Sequence, residues 1–341
     1  MTDGVPSVVP SSPLAAPLTE SPSVASQRGE VMREIGSFGA AAPADLGVLP
    51  RGGRVAGPAK GFWSTSFERL IHNRISMAAL VVLVLLAIAS FSAPLVAQAM
   101  GLDRDAMDLT NRYLPPSREH WFGTDEFGRD YFIRILYGGQ VSFLMGLGVA
   151  AVVLAIAIPL GLLAGYYGGL IDDGFNWVVQ IMVCTPILFV LILIVSWIPP
   201  TPLSLALLIG LFSWMGNARQ ARGLTLQIKR SDYVMAARAL GSQDGRIMFR
   251  HITPNMVSLM LVLAGFDVVA GILAEAGLSF LGLGIRPPIP SWGNMLTNSL
   301  NYVFRAPFLV VFPGLAIGLM VLCVYMLTDG LRDAFDPRLK G

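Results

Sequence analysis

The chain has 341 residues, of which 54% are hydrophobic and only 13% charged, a balance that excludes a soluble domain of this size and identifies an integral membrane protein. The formal net charge of +2 says little by itself, and the information lies in where the charges fall. Two cysteines, Cys184 and Cys323, sit inside apolar runs and three histidines are scattered, which argues against a disulfide framework and against a metal site.

Residues 1–60 are rich in Pro, Ser, Ala and Gly, with five acidic and five basic residues and no sustained apolar run. They are read as a disordered tail, because too little apolar surface is available to offset the entropy of ordering. The stretch lacks the basic start and apolar core of a signal peptide and is expected to be retained. Over 61–74, Trp63, Phe67, Leu70 and Ile71 recur at helical spacing, which predicts a short amphipathic helix in the membrane interface.

The region 75–341 reads as the membrane domain. Ile75–Met100 carries no charge and exceeds the roughly 20 residues that cross a bilayer, making a first span. A polar connection, Asp103–Arg134, holds seven acidic and five basic residues. A second span is expected over about Val141–Tyr166, kinked at Pro159. No charge then appears between Asp173 and Arg219, and Pro199, Pro200 and Pro202 divide that interval into third and fourth spans. A fifth runs from Met256 to about Leu273 and a sixth from Leu309 to Leu327. Between Arg219 and Arg250 stand seven Lys or Arg against two Asp, and the positive-inside rule assigns that loop, with both termini, to the cytosol.

Within the loop, at about 216–255, the stretch Ser231–Asn255 has its own logic. Ser231 and Asp232 suit a helix start, Tyr233, Ala236, Ala237 and Leu240 fall on one face, and Gly241 suits a left-handed helix end. Ser242 can cap a second helix, in which Ile247, Met248 and Ile252 share a face while Arg238, Arg246 and Arg250 stay in water. Pro254 is expected to stop it.

That stretch resembles the coupling loop of binding-protein-dependent ABC importer permeases. The family pattern, Glu-Ala-Ala, a Gly four residues on and an Ile-x-Leu-Pro ending, reads here as Met235-Ala236-Ala237, Gly241 and His251-Ile252-Thr253-Pro254. Met235, His251 and Thr253 replace the family's Glu, Ile and Leu. Three further segments are similar to the C-type dipeptide and oligopeptide branch. They are Phe122-Gly123-Thr124-Asp125 with Gly128-Arg129-Asp130, the run Glu275–Gly284 followed by Pro287-Pro288 and Ser291–Met295, and the ending Asp329–Asp333 with Asp336-Pro337-Arg338. The resemblance implies an all-α, six-span permease of the type I importer fold in a prokaryotic cytoplasmic membrane. It implies a second permease subunit, two ABC ATPase domains that hold the ATP and Mg, and an extracytoplasmic binding protein. Tyr233, Met235, Ala236, Ala237, Arg238, Gly241, Ile247, His251 and Pro254 are then the ATPase-coupling residues. Nickel and other small solutes are alternative cargoes within the family.

The residues offer no catalytic set. No G-x-x-x-x-G-K-[ST] phosphate loop is present, so hydrolysis belongs to other chains. Tyr137-Gly138-Gly139-Gln140 superficially resembles an ABC ATPase signature but abuts a span and lacks companion motifs. Asp267 lies 13 residues beyond Pro254, about 20 Å along a helix, and a carboxylate there costs about 2.5–3.5 kcal/mol unless it meets water or a partner. It is a candidate for the translocation path, facing a peptide's amino group. Glu275 is a second candidate, read first as a structural hydrogen-bond acceptor. Gly161, Gly165, Gly168 and Gly169 are read as helix-packing residues. An ion-driven secondary transporter is the competing class, disfavoured by the lack of visible internal repeats.

Overall fold

A computed structural model describes residues 62–297 and 299–335. The expected N-terminal tail and the Asp336-Pro337-Arg338 match lie outside them. Among the described residues the fold is all-α, the sole extended pairing being an isolated bridge between Thr124 and Asp130. The helices are α1 (Phe62–His72), α2 (Arg74–Phe91), α3 (Ala93–Met100), α4 (Tyr131–Tyr167), α5 (Gly169–Cys184), α6 (Ile187–Trp197), α7 (Pro202–Ser213) and α8 (Met215–Ile228). After the loop helices α9 (Asp232–Ala239) and α10 (Asp244–Arg246) come α11 (Thr253–Phe280), α12 (Trp292–Leu296), α13 (Ser299–Tyr302) and α14 (Phe308–Phe335).

Each of the six apolar stretches is helical, with corrections to its limits. The first breaks at Ser92, where Ala93 and Pro94 open a new helix. The second begins at Tyr131, ten residues before the expected start, because Asp130 caps it by accepting from the Ile133 amide at 2.9 Å; it then runs through Pro159 as one helix of 37 residues. The third is bent by 76° between α5 and α6. Pro186 lacks an amide hydrogen and forces Thr185 into an extended conformation, so the ladder cannot continue. The fourth divides at Trp214, which keeps helical dihedrals between α7 and α8. Among the described residues four helices are long and apolar enough to cross a membrane singly, five if the bent pair is counted as one span; α7, at 12 residues, is shorter than a span and is followed by α8.

The long α4 is the central rod. One buried cluster joins it to α2, α11, α12 and α14 through residues such as Phe143, Ile272, Trp292 and Met320. A second joins it to α5, α6, α7 and α8 through Val149, Val153, Leu191, Leu205 and Ala218. Gly161 and Gly165 on α4 let α8 approach to backbone contact: a Cβ on them would lie 2.5 Å from the Ala218 carbonyl and 2.8 Å from the Arg222 carbonyl. Gly168 and Gly169 have open space around them, so only the first two of the four glycines are packing residues.

Tyr137-Gly138-Gly139-Gln140 also has a structural account. Trp292 donates its indole N–H to the Ile135 carbonyl at 2.8 Å and lies on Gly138 and Gly139, where a Cβ would come within 2.9 and 3.0 Å of its ring. Gln140 donates to the Ser90 carbonyl at 2.8 Å. The segment is a bed for α2 and α12.

Candidate functional site

The loop between α8 and α11 folds as two short helical pieces clamped on one side and open on the other. Helix α9 ends with the Ser242 amide on the Ala237 carbonyl at 3.1 Å and the Gly241 amide on the Arg238 carbonyl at 2.9 Å. This doubled closure requires a left-handed residue, and Gly241 supplies it at φ +80°. Nothing lies within 4 Å of where its Cβ would be, so conformation rather than space demands the glycine.

Ser231 stands at the N-cap of α9, but its hydroxyl donates back to Ile228 O at 2.6 Å instead of capping. Gln243, not Ser242, precedes the second helical piece. After three α-helical residues that piece widens into a π-helix, Ile247–Ile252, and passes directly into α11. Pro254 therefore lies in the first turn of α11, within a helical run that continues across it, rather than ending the loop. The carbonyls around it are served by side chains, Thr253 Oγ1 donating to Met248 O at 2.9 Å and Asn255 Nδ2 to His251 O at 2.7 Å.

The clamped side is apolar. Val234, Ile247 and Ile252 have no exposed surface and Met248 has 5%, all packed with Leu162 and Tyr166 of α4, Ala221 of α8, and Met256 and Met260 of α11. Burial of each such side chain contributes about 1.5–3 kcal/mol. The open side carries Tyr233, Met235, Leu240 and Phe249, exposed by 47, 53, 88 and 71%. The expected apolar face of α9 is thus the outward one, and the anchor is Val234, a residue that sequence reasoning missed. Ala236, Arg238 and Pro254 are also exposed, while Ala237 and His251 are half-buried, with the His251 ring 6.4 Å from that of Tyr233.

Behind the loop, Tyr166 collects polar partners that periodicity could not reveal. Its hydroxyl donates to Asp244 Oδ1 at 2.5 Å and accepts from Arg238 Nη2 at 3.1 Å; its carbonyl accepts from Lys229 Nζ. Alongside, Arg222 of α8 makes a two-pronged ion pair with Asp172 of α5.

Deeper in the helices, half-buried Asp267 of α11 accepts at 2.5 Å from Asn217 Nδ2 of α8, which is 8% exposed. Glu275 is different. It is 1% exposed, and its Oε1 accepts from Ser279 and Ser291, each at 2.7 Å, tying the α12 segment to α11. Gly293 packs against it, a Cβ there lying 3.1 Å from both carboxylate oxygens. This geometry supports the structural reading of Glu275.

At the end of α4 opposite the loop, Asp125 accepts from Arg129 Nε at 2.7 Å and from the Phe127 and Arg129 amides at 2.8 and 3.0 Å. Arg134 Nε stands 3.4 Å from the same carboxylate, and Asp130 lies 2.9 Å from His120 Nδ1. Burial, reinforced by Asp125, holds the neighbouring Glu126 carboxyl above the usual carboxylate range. The Phe122–Asp130 signature is therefore a charged knot that fixes the start of α4.

Residues 157–341 match the family model described as the binding-protein-dependent transport system inner membrane component, and 61–116 match the N-terminal TM domain of oligopeptide transport permease C. The chain belongs to this permease family. The permease is 37% identical over 279 residues to the dipeptide transport system permease protein DppC of Alkalihalophilus pseudofirmus, covering 82% of this chain and 91% of that one. It is 34% identical over 278 residues to the oligopeptide permease protein OppC of Bacillus subtilis, covering 82% and 90%. With the glutathione transport system permease protein GsiD of Pectobacterium atrosepticum it shares 38% identity over 300 residues, 87% and 97% of the two chains. The permease is a multi-pass inner membrane protein, and the larger family match spans both the loop and the Glu275–Met295 segment.

Proposed function

We propose that this permease forms half of the translocation path of an ABC importer for dipeptides or oligopeptides and turns ATP hydrolysis on partner subunits into alternating access. The relatives' names support the cargo, and the loop supports the mechanism. A second, related permease supplies the other half of the path, two ATPase domains hold ATP and Mg, and an extracytoplasmic binding protein delivers the peptide. The chain itself holds no cofactor. Both termini and the loop face the cytosol, consistent with seven Lys or Arg against two Asp between Arg219 and Arg250. α1, with Phe67 and Ile71 exposed, lies in the membrane interface.

One observation carries the mechanism. The loop is apolar on both sides, buried in α4, α8 and α11 through Val234, Ile247, Met248 and Ile252, and exposed through Tyr233, Met235, Leu240 and Phe249. An exposed apolar patch on an otherwise basic loop marks a protein contact. ATPase closure moves this handle, and the helices it is packed against tilt with it. Met235 occupies the centre of the contact, where the family's Glu would pair with a cation, so the contact here is apolar. Asp267 lines the path, and Glu275 positions the segment around Trp292 beside it.

The experiment is uptake by the complete complex in vesicles. Peptide accumulation that requires ATP, the binding protein and this chain is the expected result. Accumulation driven by an ion gradient without ATP would overturn the proposal.

A further inference from the structure

We infer that Tyr166 is a positioning residue of the coupling machinery, a cross-brace that makes the loop and the inner ends of α4 and α8 move as one body. The inference rests on the coupling role proposed above and deepens it.

The chain between α8 and α11 has two non-helical joints, at Lys229–Ser231 and at Leu240–Gln243. A push on α9 would be absorbed at those joints and leave α8 where it was, whereas the second piece runs straight into α11 through the π-helix. Contacts that bypass the joints carry the push from α9 into α4 and α8. Tyr166, at the end of α4 and 3% exposed, supplies polar contacts to the first joint, just past α8, and to the rigid pieces on either side of the second. Lys229, following α8, donates to its carbonyl, one of the terminal carbonyls that a helix end leaves without an amide partner. Arg238 of α9 donates to its hydroxyl at 3.1 Å, and that hydroxyl donates to Asp244 of α10 at 2.5 Å. The Lys229 Nζ and the Arg238 Cζ stand 5.4 and 5.5 Å from the centre of the ring.

Packing alone does not call for a tyrosine here. A phenylalanine would fill the same space in the Leu162–Met260 cluster, whereas the hydroxyl is used in both of its capacities, as donor and as acceptor. Its acidic and basic partners come from opposite sides of the Gly241 turn. The bond pair therefore holds the angle between α9 and α10 as well as their seat on α4.

The test is the ratio of peptide taken up to ATP hydrolysed, measured in the same vesicles on the full reconstituted complex. Tyr166→Phe keeps the ring and the backbone carbonyl and removes both hydroxyl bonds. The ratio is expected to fall about tenfold, the change that loss of a hydrogen bond to a charged group produces, while ATP hydrolysis and recovery of the complex stay near normal. Asp244→Ala, an exposed substitution that leaves the core untouched, should lower the ratio similarly, and the double variant should be no worse than either. An unchanged ratio in both single variants overturns the inference. So do additive losses in the double variant, or loss of ATPase activity and of recovered complex in step with transport. If the unaltered complex shows no ATP-driven uptake, the proposed function itself fails, and this inference with it.

Discussion

Asn217 on α8 and Asp267 on α11 meet at 2.5 Å, joining the two helices that enter and leave the proposed coupling loop. A neutral amide leaves the charge of an ionised carboxylate uncompensated, and inside a membrane protein such a group is costly unless it has work to do. Asp267→Asn retains the shape and the Asn217 contact. Uptake of peptides with a free amino terminus is expected to fall about tenfold, as for loss of one charge-assisted hydrogen bond, while N-acetylated peptides are unaffected. Equal rates for both peptide classes would remove the assigned role.

Close contact between α4 and α8 predicts a steric penalty. Gly161→Leu and Gly165→Leu place side chains where a first carbon already meets the Ala218 and Arg222 carbonyls, so each is expected to destabilise by about 1–3 kcal/mol or more. Thermal unfolding in detergent measures it. Gly174→Ala, in open space on α5, is the control and should be neutral or slightly stabilising.

Gly241 carries a conformational demand rather than a spatial one. Gly241→Pro fixes φ near −65° against the observed +80° and deletes the amide that bonds Arg238 O. Transport should be abolished with membrane insertion intact. Normal uptake by that variant would contradict a rigid coupling loop.

Glu126 offers a test by pH. Its carboxyl is raised by burial, so the proton is bound more tightly in the folded state than in the unfolded one. Its protonated form thus contributes stability that is complete below the ordinary carboxylate pKa and lost as pH rises through the folded value. Glu126→Gln is expected to match the unaltered protein at about pH 4 and to exceed it in thermal stability by about pH 8. Parallel curves across that range would show that the group ionises freely.

The sequence was most legible where one physical signal dominated. Long uncharged runs located all six apolar stretches, and Gly241 together with the charge excess around it located the loop. Apolar periodicity failed on α9 because it counts hydrophobic residues without knowing which neighbour each meets. Tyr233 and Leu240 face outward, while the isolated Val234 is the anchor. Pro254 was misread for a related reason: a proline is equally at home just past a helix or in its first turn, and only the π-helix before it decides. The bend at Pro186 and the break at Ser92 were hidden inside uniformly apolar runs. The Tyr166 and Asp267 contacts join residues 78 and 50 positions apart, beyond the reach of any local pattern.

The proposed coupling requires that the exposed side of the loop seat on an ATPase. A cysteine placed at Met235, in a chain lacking Cys184 and Cys323, would be combined with cysteines along the cleft of the partner ATPase and oxidised in the assembled complex. A crosslink confined to that cleft, with a yield that changes when ATP is bound, is the expected result. Labelling of the same cysteine from the extracytoplasmic side, or no crosslink to any ATPase position in a complex that transports, would contradict it.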